Sequence, residues 1–419
     1  MRISTIQAFN NGVQGMQNNY SNVTRTQEQI SSGKRIMTPA DDPVGSVRLL
    51  QLDQQAGKLE QYKGNLTAAN NSLMQEEATL NSVNNILQRV REITLEAGNG
   101  ALDKGGREAL AQELAEREEE LFGLMNSKNA RGEYLFGGYK SDEPPFVKEA
   151  DGSYTYQGDE GQRFIQIAGS KSVAINDNGK DLFTDISNVS RVDTQSSSAA
   201  ARISLGEIVD ETLFNERFLS GSEEKLSFVL DSTSDDGFQR DAEGDLQLQL
   251  DSESGDEPRP AYVLTLNEDG SYSASIHGVS ITLDGALDTS DTFTIENQEK
   301  RGVLDTISLL RETLESGGDS TDDKRVRSEA LSVSLQNLDN AMNKVLGVQT
   351  SIGARMNVIE STQNEHAEAE LINTTVKSGI EDLDYAEALS RLSLESVVLQ
   401  AAQQSFVKIS GMSLFNLLR

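Results

Sequence analysis

All six prolines of this 419-residue chain fall at positions 39, 43, 144, 145, 258 and 260. Residues 44–143 and 261–419 are thus free of the side chain that breaks a helix by removing an amide donor and crowding the preceding turn. Each interval can hold very long helices, and the apolar spacing says that it does. Leu52, Leu59, Leu66, Leu73, Leu80 and Leu87 recur at every seventh position, joined later by Val83, Val90 and Ala97. A heptad repeat keeps one stripe of a helix turned towards a partner. Ahead of it Ile6, Phe9, Val13, Met16, Tyr20, Val23, Gln27 and Ile30 alternate steps of three and four, with Gln27 the one polar member. This seam stops at Ser31-Ser32-Gly33, where glycine offers a left-handed cap. Asp42 as N-cap and Pro43 in the first turn open the next helix, so residues 34–42 read as a connector. A third helix is expected on Leu110, Leu114, Leu121, Leu124 and Leu135, after a break at Asn99, Gly100, Gly105 and Gly106.

After Pro144 the period becomes two: Tyr154 and Tyr156, Phe164, Ile165 and Ile167, Leu246, Leu248 and Leu250, then Val263, Leu264 and Leu266. Turn residues at 267–270 and at His277-Gly278 make 262–283 a three-stranded meander. The helical period returns near residue 300 with Val303, Ile307, Leu310 and Leu314. It runs on through Leu331, Leu335, Leu338, Met342, Val345, Gln349, Ile352, Met356 and Ile359, then Ile372, Val376, Ile380 and Leu383. Val398, Ala401, Ile409 and Met412 continue it to Leu414 and Phe415. The expected fold is mainly α with an inserted β-rich domain: N- and C-terminal segments form a long antiparallel helical bundle or coiled coil, with the β domain at its far end. Residues 1–43 and 380–419 are read as terminal assembly helices, 44–140 and 300–379 as the bundle, and 141–299 as the insertion.

Charge follows the same partition. The net charge is −30, from 67 acidic and 37 basic residues, and residues 141–299 alone hold 33 acidic and 10 basic ones. A phosphate-binding surface needs an excess of Lys and Arg, so nucleic acid is excluded as a partner and an anionic membrane surface is disfavoured. No apolar run reaches the roughly 18 residues of a spanning helix, so no membrane insertion is expected, and the N-terminus lacks the pattern of a cleaved signal. Without cysteine there is no disulfide, thiolate metal site or thiol nucleophile. Histidines 277 and 366 lie in a turn and on a seam, with no spacing that unites them. The carboxylate-rich run Asp231 to Asp245 departs from an EF-hand at Asp236, where glycine belongs, and at Ala242, where the closing glutamate belongs. No enzyme activity, cofactor or metal is expected.

What the two ends offer is seam. Ile6, Phe9, Val13, Met16, Tyr20 and Val23 at one terminus and Val398, Ala401, Ile409, Met412, Leu414 and Phe415 at the other must bury their faces against each other or against another chain. The connector adds a charged set, with Lys34 and Arg35 expected to face Asp41 and Asp42 across the turn or to meet a neighbouring subunit.

The run from Ile30 through Ser32, Gly33, Lys34, Arg35 and Ile36, with Ala40, Asp41, Asp42, Pro43, Val44 and Gly45 after it, resembles the signature of the bacterial flagellin N-terminal region. Arg2-Ile3-Ser4, the stretch Leu87 to Glu92, Gly353 to Asn357 and Ile380 to Tyr385 resemble the same family. Two stretches resemble its hook–filament junction branch rather than filament flagellins: Tyr134 to Lys140, with Phe136, Gly137 and Gly138, leading to Pro144, Pro145 and Phe146, and the ending Met412 to Phe415. The resemblance implies a secreted structural subunit of the extracellular flagellum, exported through the flagellar type III route with the help of an export chaperone. It also implies flagellin as a partner, another hook-associated protein on the hook side, and self-association in a ring or helical tube. A filament flagellin subunit is the alternative. Near-neutral helical ends can stack in many copies, whereas the acidic middle is tolerable only in water.

Overall fold

The computed structural model describes residues 2–150, 152–198, 200–219, 225–230, 246–250, 261–268, 270–288, 290–316 and 321–417. The carboxylate run 231–245, which departs from an EF-hand loop at Asp236 and Ala242, lies outside them. The helices are α1 (Arg2–Ser32), α2 (Pro43–Ala97), α3 (Lys104–Met125), α4 (Glu211–Phe214), α5 (Val303–Ser316), α6 (Thr321–Glu381) and α7 (Tyr385–Leu417). Short π-helical turns occupy Lys180–Thr184 and Asn215–Leu219. Long helices at both ends therefore flank an inserted β region. The chain divides into two compact units, one of Met1–Thr67, Gln166–Lys171 and Ile359–Arg419, the other of Ala68–Ile165 and Ser172–Val358.

In the first unit α1 runs antiparallel to α7. The Phe9 and Phe406 rings lie 5.0 Å apart, Thr26 donates to Glu395 at 2.8 Å, and Arg391 donates to Gln29 at 3.2 Å. The start of α2 lies antiparallel to the end of α6 in the same way. Lys377 meets Asp53 at 2.7 Å, the Asn373 amide donates to the Leu52 carbonyl at 3.0 Å, and the Tyr62 and His366 rings are 5.7 Å apart. Here the expected seam needs correction. Ile372 and Val376 are exposed and Asn373 is buried. The seven-residue step from Leu331 through Leu338, Val345, Ile352 and Ile359 simply continues through His366 and Asn373 to Ile380, although two of those positions are polar. Gln27, expected on the first seam, is likewise exposed, while Thr26 and Gln29 are buried.

In the second unit the rest of α2, α3, α5 and the first part of α6 pack their apolar stripes together. Leu73, Leu80, Leu87, Leu114, Leu121, Ile307, Leu310, Leu338 and Ile352 are all fully buried. Asp103 caps α3, its carboxylate accepting from the Gly106 amide at 2.9 Å. The helix ends at Met125, so Leu135, expected on it, lies beyond, in the loop that the Leu135 amide ties to Ser127 at 3.1 Å.

Two small hairpins follow, β1 (Phe146–Lys148) with β2 (Tyr154–Tyr156) and β3 (Phe164–Gln166) with β4 (Ser172–Ala174). The larger sheet holds β5 (Val192–Ser196), β6 (Ala201–Ile203), β7 (Glu207–Ile208), β8 (Lys225–Leu230), β9 (Leu246–Leu250), β10 (Ala261–Leu266), β11 (Tyr272–Ile276), β12 (Val279–Gly285) and β13 (Thr292–Asn297). Its order is β5-β13-β8-β9-β10-β11-β12-β6, with β7 also on β12, and its pairings are antiparallel. The meander is β10-β11-β12, and its tight turn places His277 at φ 48° and Gly278 at φ 81°, the left-handed pair that a two-residue hairpin turn requires. Alternate residues Leu226, Phe228 and Leu230, Ile281 and Leu283, Phe293 and Ile295 face one core, which Phe214 and Phe218 complete. The Thr194 hydroxyl donates to the Ser204 carbonyl at 2.6 Å and draws the region of the end strands together.

Candidate assembly surface

The connector is built as two chain breaks laid side by side. Gly33, at φ 73°, turns the chain after α1, and its Cα faces the Tyr385 hydroxyl so closely that a Cβ would lie 3.1 Å away. The Gly33 carbonyl accepts from the Leu383 amide at 3.0 Å and the Arg35 amide donates to Glu381 at 2.6 Å, so 33–35 forms a short bridge to the break between α6 and α7. The Arg35 guanidinium donates twice to the Ile380 carbonyl, at 3.2 and 2.7 Å, satisfying a free acceptor at the end of α6. Ser32 closes the end of α1, its hydroxyl donating to Gln29 at 3.2 Å. On the far side, Asp384 caps α7 by accepting from the Ala386 and Glu387 amides at 2.9 and 3.2 Å.

The charges pair differently from the expectation across the turn. Arg35 does approach Asp42, at 3.6 Å, but Lys34 pairs with Glu381 and Asp41 pairs with Arg25 at 2.6 Å. Asp42 is occupied as N-cap, accepting from Gly45 at 2.8 Å in the turn that Pro43 starts. Asp41 accepts from the Thr38 and Met37 amides at 2.8 and 3.0 Å. Chiefly the Thr38 amide, with Met37 and the Arg25 charge, holds the Asp41 carboxyl below its ordinary range against the opposing effect of burial. Sequence reasoning missed Glu381, Arg391 and Glu395 as partners, because ion-pair choice depends on which helix lies opposite. It also passed over Asp384-Tyr385-Ala386-Glu387, whose capping-box spacing marks the start of α7.

Pairing α1 with α7 leaves much apolar surface uncovered within the chain. Tyr20 is 64% exposed, and Leu394, Val397, Val398 and Val407 are all exposed too. Phe9 is partly covered by Phe406, Ala401 is exposed, and Val13, Met16 and Val23 are half-buried. Ile6, Ile409, Met412, Leu414 and Phe415 lie on these helices, but their side chains are outside the described set. On α2 and α6, Val44, Val47, Leu50, Leu371 and Ile372 are also exposed. Among the described residues no helix is long and apolar enough to cross a membrane, and no group of three His, Asp or Glu side chains could hold a metal ion.

The Phe136 to Phe146 motif lies in the second unit and is internal. Phe136 and Phe146 are buried around Phe183, with ring centres at 5.2 and 5.9 Å. Both glycines are needed for close approach: a Cβ on Gly137 would lie 2.2 Å from the Lys140 carbonyl, and Gly138, at φ 70°, abuts Asp159. Asp159 accepts from the Tyr139 and Lys140 amides, each at 2.9 Å, and the Tyr156 hydroxyl donates to the Phe136 carbonyl at 2.9 Å. The Pro145 carbonyl accepts from Gln157 at 2.8 Å, and Pro144 precedes it at the entry to β1. The motif thus packs the loop after α3 onto the first hairpin, with Tyr139 left on the surface.

Comparison with known proteins agrees with this geometry. Residues 3–141 match the bacterial flagellin N-terminal helical region and residues 335–418 the bacterial flagellin C-terminal helical region, together more than half of the chain. Over 417 residues the chain is 24% identical to the flagellar hook-associated protein 3 of Escherichia coli K12, covering 100% of this chain and 99% of that protein. It is 32% identical over 186 residues to the protein of the same name from Salmonella typhimurium, covering 44% of this chain and 58% of that one. The crystal structure of flagellar hook associated protein-3 from Legionella pneumophila shares the fold at a TM-score of 0.56 and 23% identity, over 79% of this chain and 98% of that chain. Matched helical regions at both termini and an alignment running the full length place this chain in the bacterial flagellin family, similar throughout to its hook-associated members.

Proposed function

We propose that this chain is a structural subunit of the bacterial flagellum that acts at the hook–filament junction, joining a hook-associated protein on one side to flagellin on the other. The observation that carries this reading is the apolar surface left on α1 and α7 after they pair, since contiguous exposed apolar area marks a surface made for another chain. Copies related by a contact that does not close would stack into a ring or helical tube, with segments 1–43 and 380–419 as its assembly helices. The full-length similarity to a flagellar hook-associated protein 3 supports the junction over the filament, where the flagellin matches are partial. The insertion at 141–299, with its acidic surplus, would face water. Secretion through the flagellar export route, with a chaperone shielding the terminal helices, completes the proposal.

Position along the organelle tests it. A tag inserted between residues 231 and 257, imaged on purified flagella, is expected as a single band where hook meets filament. Label along the whole filament would instead make the chain a filament flagellin, and its absence from flagella would end both readings.

A further inference from the structure

The base of the β3–β4 hairpin carries a buried charge arrangement. Glu76 on α2 is 1% exposed. One of its oxygens accepts from the Asp177 amide at 2.9 Å, and the other has no hydrogen-bond partner. The Asp177 carboxylate takes both arms of the Arg355 guanidinium from α6, each at 2.9 Å, and accepts from the Gln162 amide at 2.7 Å. Arg163, the other cation in reach, is engaged by Glu133 at 3.0 Å, while its amide donates to Asn176 at 2.7 Å. Two carboxylates, Glu76 fully buried and Asp177 largely so, therefore lie beside one committed cation. The groups that face Glu76 are Asp177 and Arg163 from the hairpin and Arg355 from α6. Burial of a carboxylate oxygen that has no hydrogen-bond partner, next to a second negative charge, favours the protonated form over the opposing pull of Arg355 and Arg163.

We propose that Glu76, Asp177 and Arg355 form a proton-dependent latch on the base of the β3–β4 hairpin, closed while Glu76 is protonated and loosened as that proton is lost. Burial first, and the Asp177 charge second, push the Glu76 carboxyl up to about 8. In the opened hairpin the group meets water and ionises at its ordinary value of 4.5. Between those values the closed form holds a proton that the open form has released, so opening gains about tenfold per pH unit and levels off above the upper value.

Hydrogen exchange on the full chain between about pH 5.5 and pH 7.5, corrected for the intrinsic rate, reads the latch at the Arg163, Ile175 and Asp177 amides. Protection there is expected to fall by more than tenfold beyond the change at Ile281 in β12, and Glu76→Gln is expected to abolish that excess. Asp177→Asn frees Arg355 to neutralise Glu76, and should reduce the excess below tenfold. An equal pH response in parent and Glu76→Gln would overturn the latch, as would an undiminished excess in Asp177→Asn. A carbon-detected titration of the Glu76 carboxyl in the unaltered protein decides independently of any variant: a midpoint above about 6 is expected, and one below that refutes the latch.

Discussion

Glu118 on α3 joins three elements of the second unit through one buried carboxylate. The Tyr154 hydroxyl of β2 donates to it at 2.6 Å, Arg311 of α5 donates at 3.1 Å, and the Lys148 ammonium of β1 lies 3.8 Å away. Burial, with the Glu118 hydrogen bond and charge, pushes the Tyr154 hydroxyl well above its usual range. Glu118→Leu would strand the Tyr154 hydroxyl and remove a counter-charge from Arg311. Breaking a fully buried pair from one side costs about 3–5 kcal/mol. Arg311, however, is about a quarter exposed and has Glu315 at 3.4 Å as an alternative partner, so the cost falls below that range, to about 2–3 kcal/mol. Glu118→Gln keeps an acceptor for Tyr154 and loses only the charge, for about 1–2 kcal/mol. At roughly 2 °C per kcal/mol for a unit of this size, calorimetry should show Tm falling by about 4–6 °C for leucine and 2–4 °C for glutamine. The decisive measurement is a double-mutant cycle with Arg311→Met, whose cost should drop by about 1 kcal/mol or more once Glu118 is gone. Additivity within about 0.5 kcal/mol would show that the two side chains touch without stabilising the unit, and would refute the reasoning.

Phe136 is fully buried with its ring edge-on to Phe183, so Phe136→Ala should cost about 3–5 kcal/mol and flatten the near-ultraviolet circular dichroism of the second unit, with Phe136→Leu retaining most of the stability. Asp41 titrates below its unfolded value of 3.8, so its stabilising effect is present above that value and is lost as pH falls through the folded one. The stability gap between the parent and Asp41→Ala in urea melts should therefore be full at about pH 7 and shrink below about pH 4. A gap that widens in acid would reverse the assignment.

How far the fold was legible varies along the chain. The helix starts at Pro43 and the turn at Gly33 are visible in sequence because capping and left-handed backbone are local demands on one or two residues. The meander of β10-β11-β12 was readable from alternation and from His277-Gly278 for the same reason. Leu135 lies beyond α3; an apolar residue at roughly helical spacing does not reveal that the helix has ended, and here it is buried in a loop tied back to Ser127. Ile372 and Val376 lie off the buried line because the seven-residue step there runs through His366 and Asn373, whose polarity hides it from a hydrophobic pattern. The Phe136 motif was recognisable as a family feature, but its burial around Phe183 was not, since Phe183 comes from a distant π-helical turn.

The amino-acid sequence by itself determined where helices run, where they stop, and that an acidic β region interrupts them, because φ/ψ preference, capping and apolar period act over a few residues at a time. Only the tertiary structure decided which polar groups would be buried and with whom. Thr26 against Glu395, Asn373 against the Leu52 carbonyl, and Glu76 beside Asp177 join residues far apart in the chain. Their energies depend on the removal of water by the neighbouring element, and no local pattern records that desolvation.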